Sequence, residues 1–199
     1  MSKDFWTQHS PLDIPRPEDD GLCDHLRGFN LPSVSLPSAK DNSMKVDLAN
    51  LDGLTVVFNY PRTAEPGEEV PPEWNSIPGA RGCTPQACSC RDNFDALKDL
   101  GVAQVFGVST QSSEAQKELR ERVHLPYDLL SDANLRFATA ARLPTFEWKQ
   151  RKLIKRVTLA IKSGKVVKHW YPVFPPDQNV IEVLKWLKEY EGKAAISSE

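Results

Sequence analysis

The chain contains no Cys-x-x-Cys pair, no apolar run approaching the roughly 18 residues of a membrane-spanning helix, and no strong excess of either charge. Each absence excludes something. Without Cys-x-x-Cys, the dithiol motif of a thioredoxin-type thiol–disulfide oxidoreductase is missing. A formal net charge of -2, from 25 Lys and Arg against 27 Asp and Glu, offers no basic field for nucleic acid. The opening thirty residues lack the apolar segment of a signal peptide, so the expectation is a cytoplasmic or otherwise intracellular protein in a reducing compartment, with no membrane association. Cysteine is scarce, four residues in 199, and three of the four lie at 83, 88 and 90. Such crowding does not make the disulfide framework of a small secreted domain.

That crowded stretch, residues 78 to 92, reads Pro-Gly-Ala-Arg-Gly-Cys-Thr-Pro-Gln-Ala-Cys-Ser-Cys-Arg-Asp. Gly82, Cys83, Thr84 and Pro85 form a helix start, because proline is tolerated in a first turn whose N–H groups have no partner anyway. Cys83 then sits at the helix N-terminus, where unpaired N–H groups, the helix dipole and nearby Arg81 favour a thiolate. An ordinary thiol is only about 3% ionised at pH 7, so this setting bears on reactivity. Cys88 follows five residues later. In an ideal helix the two Cα atoms stand about 8.7 Å apart, beyond the roughly 7 Å limit for a disulfide, so a bond between them requires the first turn to unwind. Cys90, two turns from Cys83, reads as a small apolar residue on a helix face. A metal site built from Cys23, Cys83, Cys88 and Cys90 lacks the paired spacing of zinc knuckles. His9, His25, His124 and His169 lie in unrelated segments, without metal or triad spacing.

The rest reads as one domain with tails. Residues 1–28, broken by Pro11, Pro15 and Pro17 and carrying Glu18-Asp19-Asp20, form an extended arm in which Cys23 is an incidental thiol. The domain spans 29–192, and 193–199 is a tail. Phe29 to Leu36 has an edge-strand pattern interrupted by Pro32. Leu54 to Tyr60 is a buried central strand, the cysteine helix runs to Leu100 with Gly101 as its cap, and Val102 to Ser109 is the next strand. A charged amphipathic helix covers Gln111 to Val123, and a short one covers Ala133 to Arg142. Strands at Leu153–Lys162 and Val166–Tyr171 meet at Ser163-Gly164, a hairpin signal, and an amphipathic helix closes the chain through Val180, Leu184 and Leu187. The order β, α, β, α, β, β, α gives an α/β fold of thioredoxin-like type, a mixed central sheet with helices on both faces. In the penultimate strand Val157, Leu159 and Ile161 share one face, and Arg156, Thr158 and Ala160 the other. The pattern alone leaves Arg156 either facing inward or snorkelling to water.

Gly-Cys-Thr-Pro-Gln-Ala-Cys-Ser-Cys-Arg-Asp at 82–92 resembles the active-site helix of the peroxiredoxin Q family, the bacterioferritin comigratory proteins, whose pattern is Gly-Cys-Thr-x-x-Ala-Cys-x-x-Arg-Asp. Leu125-Pro-Tyr-Asp-Leu-Leu-Ser-Asp resembles a second family motif, and the likeness extends over about 29–190. It implies Cys83 as the peroxidatic cysteine, Cys88 as the resolving one, Arg156 facing the thiolate, Arg91 in a structural pair, and no metal or other cofactor. It further implies reduction of hydrogen peroxide and organic hydroperoxides, an intramolecular Cys83–Cys88 disulfide, recycling by thioredoxin or a similar dithiol, and a monomer. The chain departs from the pattern before the cysteine. Pro61 to Cys83 is twenty-two residues instead of the family's seven, an insertion of about fifteen, and the threonine that bonds peroxide is replaced by Ala80. Thr63 folded back, Thr84, or backbone N–H groups remain as substitutes, and Gly82, Thr84 and Ala80 line the substrate position. The insert, 62–77, reads either as a loop over the site mouth or as a plain surface excursion, with Trp74 exposed. A slow or non-catalytic thiol sensor on the same fold is the alternative function, with Ala80 as its one positive hint.

Overall fold

The computed structural model describes residues 14–41 and 43–196, with side chains to Tyr190. His9 and Pro11 of the arm and residues 197–199 of the tail lie outside the described residues. Nine strands and six helices carry the fold among those described. The strands are β1 (Ser35–Pro37), β2 (Lys45–Asp47), β3 (Leu54–Asn59), β4 (Val102–Ser109), β5 (Asp128–Ser131), β6 (Thr145–Trp148), β7 (Arg151–Ile154), β8 (Val157–Lys162) and β9 (Lys165–Trp170). The helices are α1 (Pro72–Asn75), α2 (Cys83–Asp92), α3 (Phe94–Asp99), α4 (Ser113–Arg122), α5 (Arg136–Ala140) and α6 (Asn179–Ile196).

Five strands form the central sheet in the order β5-β4-β3-β8-β9. β3 pairs parallel to β4 and antiparallel to β8, so the sheet is mixed, and all six β3 residues are buried between those neighbours. A β-branched and aromatic run can be buried on both faces only in such a central position. Alternate residues feed two cores. Val57, Val108, Leu159 and Ile161 pack on one side with Phe137 of α5; Val56, Phe58, Val105 and Ala160 pack on the other with Cys83, Cys90, Leu119 and Leu187. Helices therefore cover both faces, the thioredoxin-like arrangement. The turn joining β8 to β9 has positive φ at Ser163 and Gly164, as the hairpin signal requires.

Four local expectations change. The cysteine helix does not run on to Leu100. It ends at Asn93, whose side-chain amide donates to the Ser89 carbonyl at 2.8 Å and so competes with the next helical turn. The single strand expected over Leu153–Lys162 is two: Leu153 and Ile154 pair with Phe146 and Thr145 in a β6–β7 hairpin, and the ladder is interrupted at Lys155 and Arg156 before β8 joins β3 at Val157. The edge strand expected over Phe29 to Leu36 is broken in two: Asn30 makes a single antiparallel bridge to Lys165 at the sheet edge, and Ser35–Pro37 forms the short β1, which pairs with β2. Trp74, expected to be exposed, is 6% exposed, packed on Phe146 and Trp148 at ring-centroid distances of 6.0 and 5.3 Å. The insert, with the α1 turn in it, is thus anchored by packing Trp74 into an apolar cluster with Ala80 and Leu153 outside it. Within the arm, Cys23 and Leu26 are buried in the first core.

Candidate active site

Local sequence puts Cys83 where a reactive thiol is useful. Gly82 takes φ of 95°, a left-handed value that favours glycine, and a side chain there would come within 2.8 Å of Pro176 Cγ. From that bend α2 starts at Cys83 itself, and its first helical bond runs from the Gln86 N–H to the Gly82 carbonyl at 3.0 Å. Cys83 is buried, its Sγ 3.6 Å from the Ala80 carbonyl as thiol donor.

Arg156 comes from the far side of the chain. It sits in the break between β7 and β8, where it is 3% exposed and its Nη2 donates to Cys83 Sγ at 3.1 Å. The same nitrogen reaches the Arg81 carbonyl at 3.1 Å and the Gly79 carbonyl at 3.4 Å, while Nη1 donates to Gln86 Oε1. A buried guanidinium needs such acceptors. The fork therefore grips three backbone and side-chain oxygens and presents one N–H to the sulfur. Arginine suits this because its planar donors hold fixed relative directions.

Cys88 stands on the continuous helix, half-buried and not bonded to Cys83. Burial pushes its thiol up from the ordinary value, with Arg91 acting the other way. Cys90 is buried beside Tyr127, and burial pushes its thiol far up, in keeping with a packed residue. Cys23 is pushed up to about 12 by burial and by Asp20, Asp19 and Asp24, and it lies in the opposite core from Cys83. Arg91 bonds Asp92 at 2.8 Å and the Val123 carbonyl at 2.8 Å, holding the helix to the end of α4.

Of the candidate replacements for the missing threonine, Thr63 is already engaged: its N–H donates to Gln111 Oε1 at 2.7 Å and its hydroxyl to the same atom at 3.3 Å. Ala80, fully buried against Trp74 and Leu153, offers its carbonyl but no side-chain donor. Thr84 is half-buried in the first turn of α2, next to Cys83.

A pocket of about 470 Å³ opens beside Arg156, walled by Arg16, Asp20, Ile77, Gly79 and Phe146. Arm and insert therefore both border it. The arm is held there by Asp20, which accepts from Lys155 Nζ at 2.6 Å and Tyr171 Oη at 2.8 Å. A larger cavity of about 880 Å³, bordered by Arg62, Gln111 and Trp148, includes none of Cys83, Cys88 and Arg156 in its wall.

Sequence reasoning passed over Gln86 and Asn179. Gln86 is three residues from Cys83 and so on its helix face, a signal that was available. Asn179 carried none, since only the fold brings it there.

The Redoxin family pattern matches residues 27–184. Peroxiredoxin Bcp of Escherichia coli K12 is 31% identical over 163 residues, covering 80% of this chain and 93% of its own. Peroxiredoxin Bcp of Bacillus subtilis is 30% identical over 175 residues, covering 83% and 97%. Among solved structures, peroxidoxin BcpB from Mycobacterium tuberculosis superposes with a TM-score of 0.65 at 24% identity, covering 82% of this chain and 96% of that one. With a family match over most of its length and relatives spanned almost end to end, the chain belongs to the redoxin family, among the peroxiredoxins of the Bcp and Q kind.

Proposed function

We propose that this protein is a thiol peroxidase in which Cys83 is the peroxidatic residue, Cys88 the resolving residue and Arg156 the group that orients and stabilises the reacting sulfur. The observation that carries the reading is the 3.1 Å bond from Arg156 Nη2 to Cys83 Sγ at the start of α2. The bacterioferritin comigratory protein of Xanthomonas campestris has alkyl peroxide reduction activity. The pocket beside Arg156 does not include Cys83 in its wall, but Arg156 links the two, so the organic part of such a peroxide has a place next to the guanidinium that reaches the sulfur.

The Cys83 thiolate attacks the terminal oxygen of ROOH; the O–O bond breaks, Cys83 becomes a sulfenic acid, and RO⁻ leaves and takes a proton to give ROH. Negative charge moves from sulfur toward the departing oxygen. Arg156, already held by oxygens of Gly79, Arg81 and Gln86, follows that charge with little rearrangement. The N–H groups of the first turn, beside Gly82 and Thr84, bind the peroxide in place of a threonine hydroxyl; Ala80 adds its carbonyl as an acceptor for the ROOH proton.

Resolution requires the first turns of α2 to unwind, because a disulfide cannot span the intact helix. The Cys88 thiol gives up its proton and its thiolate attacks the Cys83 sulfenic sulfur; the S–S bond forms as the S–O bond breaks, and the departing hydroxide takes up a proton to leave as water. Unwinding also exposes Cys88, removing the burial that holds its proton. A dithiol reductant, for which thioredoxin is the proposed source, restores both thiols by exchange and is itself oxidised. The working form is a monomer in a reducing compartment. Among the described residues no helix is long and apolar enough to cross a membrane.

The test is peroxide consumption with thioredoxin and thioredoxin reductase. Cys83→Ser should abolish turnover, and Cys88→Ser should consume one equivalent and stop at a sulfenic acid. A wild type inert toward hydrogen peroxide and alkyl hydroperoxides alike would remove the peroxidase reading.

A further inference from the structure

Three buried polar side chains stand behind Arg156. Gln86 Nε2 donates to Asn179 Oδ1 at 3.1 Å, and the Thr158 hydroxyl donates to the same oxygen at 2.5 Å. Asn179 is 1% exposed at the start of α6, and Thr158 lies on β8 two residues beyond Arg156. The direction of the chain follows from donor chemistry. Arginine can only donate, so Gln86 turns its oxygen to Arg156 and its NH2 to Asn179; Asn179 must then offer its oxygen. Its own Nδ2 is left buried without a partner. A buried amide that gives up its donor in this way is spent on accepting from Gln86 and Thr158.

We propose that Asn179 is a positioning residue for the peroxidatic site, acting on Arg156 through Gln86 and holding the first turns of α2 in the folded form. The proposal rests on the reading of Cys83 and Cys88 given above and adds a control over the balance between their two steps. Gln86 lies between Cys83 and Cys88, inside the segment that must unwind. While α2 is folded, the Gln86–Asn179 bond aligns the acceptor that fixes Arg156 Nη1, and so favours attack on peroxide. When α2 unwinds, that bond must break, and so it slows delivery of the sulfenic acid to Cys88. The neighbouring turn adds contacts of the same kind: Pro176 closes on Gly82, and Ser89 Oγ donates to the Asp177 carbonyl at 2.6 Å. One side chain thereby acts on the two steps with opposite sign.

The experiment is rapid-mixing kinetics on the full chain, with sulfenic acid trapped by dimedone and the disulfide followed by mass spectrometry. Asn179→Ala should slow sulfenic acid formation about 10-fold, through a misplaced Arg156. It should speed the sulfenic-to-disulfide step about 5-fold, the scale of one lost hydrogen bond. Faster resolution shortens the life of the sulfenic acid, so the peroxide concentration that drives Cys83 to sulfinic acid should rise. Thr158→Val, which removes one donor to Asn179 and keeps the side-chain shape, should move both rates in the same directions by smaller factors. It carries the test if Asn179→Ala does not fold. Both steps slowing together, or neither changing in a folded variant, would overturn the proposal. A wild type that forms no sulfenic acid at Cys83 would instead strike the underlying assignment.

Discussion

Arg156 Nη2 stands 3.1 Å from Cys83 Sγ, although the two residues are 73 positions apart in the chain. The contact depends on the two-residue break between β7 and β8, which frees Arg156 from both strands' ladders on the side of the sheet where α2 packs. Replacing it tests geometry as well as charge. Arg156→Lys keeps a cation but cannot bond Gln86, the Arg81 carbonyl and the sulfur together, so the rate of Cys83 oxidation should fall by about 10²-fold. Stopped-flow peroxide reduction measures this, and a fall under threefold would show that charge alone suffices.

A second expectation concerns Cys88, the proposed resolving thiol. Burial raises the Cys88 value in the folded protein, so its alkylation by iodoacetamide in Cys83→Ser should shift to higher pH than in the denatured chain. The same shift has a stability consequence of fixed sign. A raised folded value contributes stability in full below the unfolded thiol value of about 8.5, and that contribution is lost as pH rises toward the folded value. Mass spectrometry of the labelled peptide gives the profile; coincident profiles would mean that Cys88 is already solvated in the folded helix.

The insert should be a cooperative part of the fold. Trp74→Ala removes the ring packed on Phe146 and Trp148 and should cost about 3 kcal/mol, read as a lower urea midpoint. A variant as stable as wild type would show that the insert cluster opens separately from the core.

Acid should loosen the arm. Burial alone would raise the Asp20 carboxyl, but bonds from Lys155, Tyr171 and the Leu22 N–H outweigh it and hold the group below the ordinary carboxylate value. For a depressed value, the stabilisation is complete above the unfolded value of about 3.9 and is lost as pH falls through the folded one. Proteolytic cleavage between residues 14 and 20, by a protease active in acid, should therefore rise as pH drops below about 4. In Asp20→Asn the cleavage should be raised and nearly flat with pH. Matching profiles for the two proteins would separate Asp20 from the seating of the arm.

The central strand was legible because Leu54 to Asn59 is apolar on both faces, a pattern that suits the middle of a sheet. The helix start at Cys83 was legible for an equally local reason: Gly82, Thr84 and Pro85 all suit a first turn. The break at Asn93 rests on a side chain choosing between its own backbone and the next turn. Propensity does not decide that choice, whereas the bond to Ser89 does. Trp74 was misjudged because its proline- and glutamate-rich surroundings look solvated, and its partners, Phe146 and Trp148, lie more than seventy residues away on a hairpin that looked like the start of a longer strand.

What the sequence determined by itself is the placing of two thiols: a cysteine at a helix start, and a second cysteine five residues on that the intact helix keeps out of bonding range. These follow from short-range geometry, in which spacing along the chain is distance in space. The tertiary structure alone decided what surrounds that sulfur. Arg156, Gln86, Asn179 and Thr158 meet because α2 and α6 pack on the face of the sheet to which Thr158 of β8 and Arg156 just before it turn, and an arm and an insert border the pocket beside Arg156. Such meetings depend on register and on which face each strand presents, quantities set by the packing of the whole core and by no single stretch of residues.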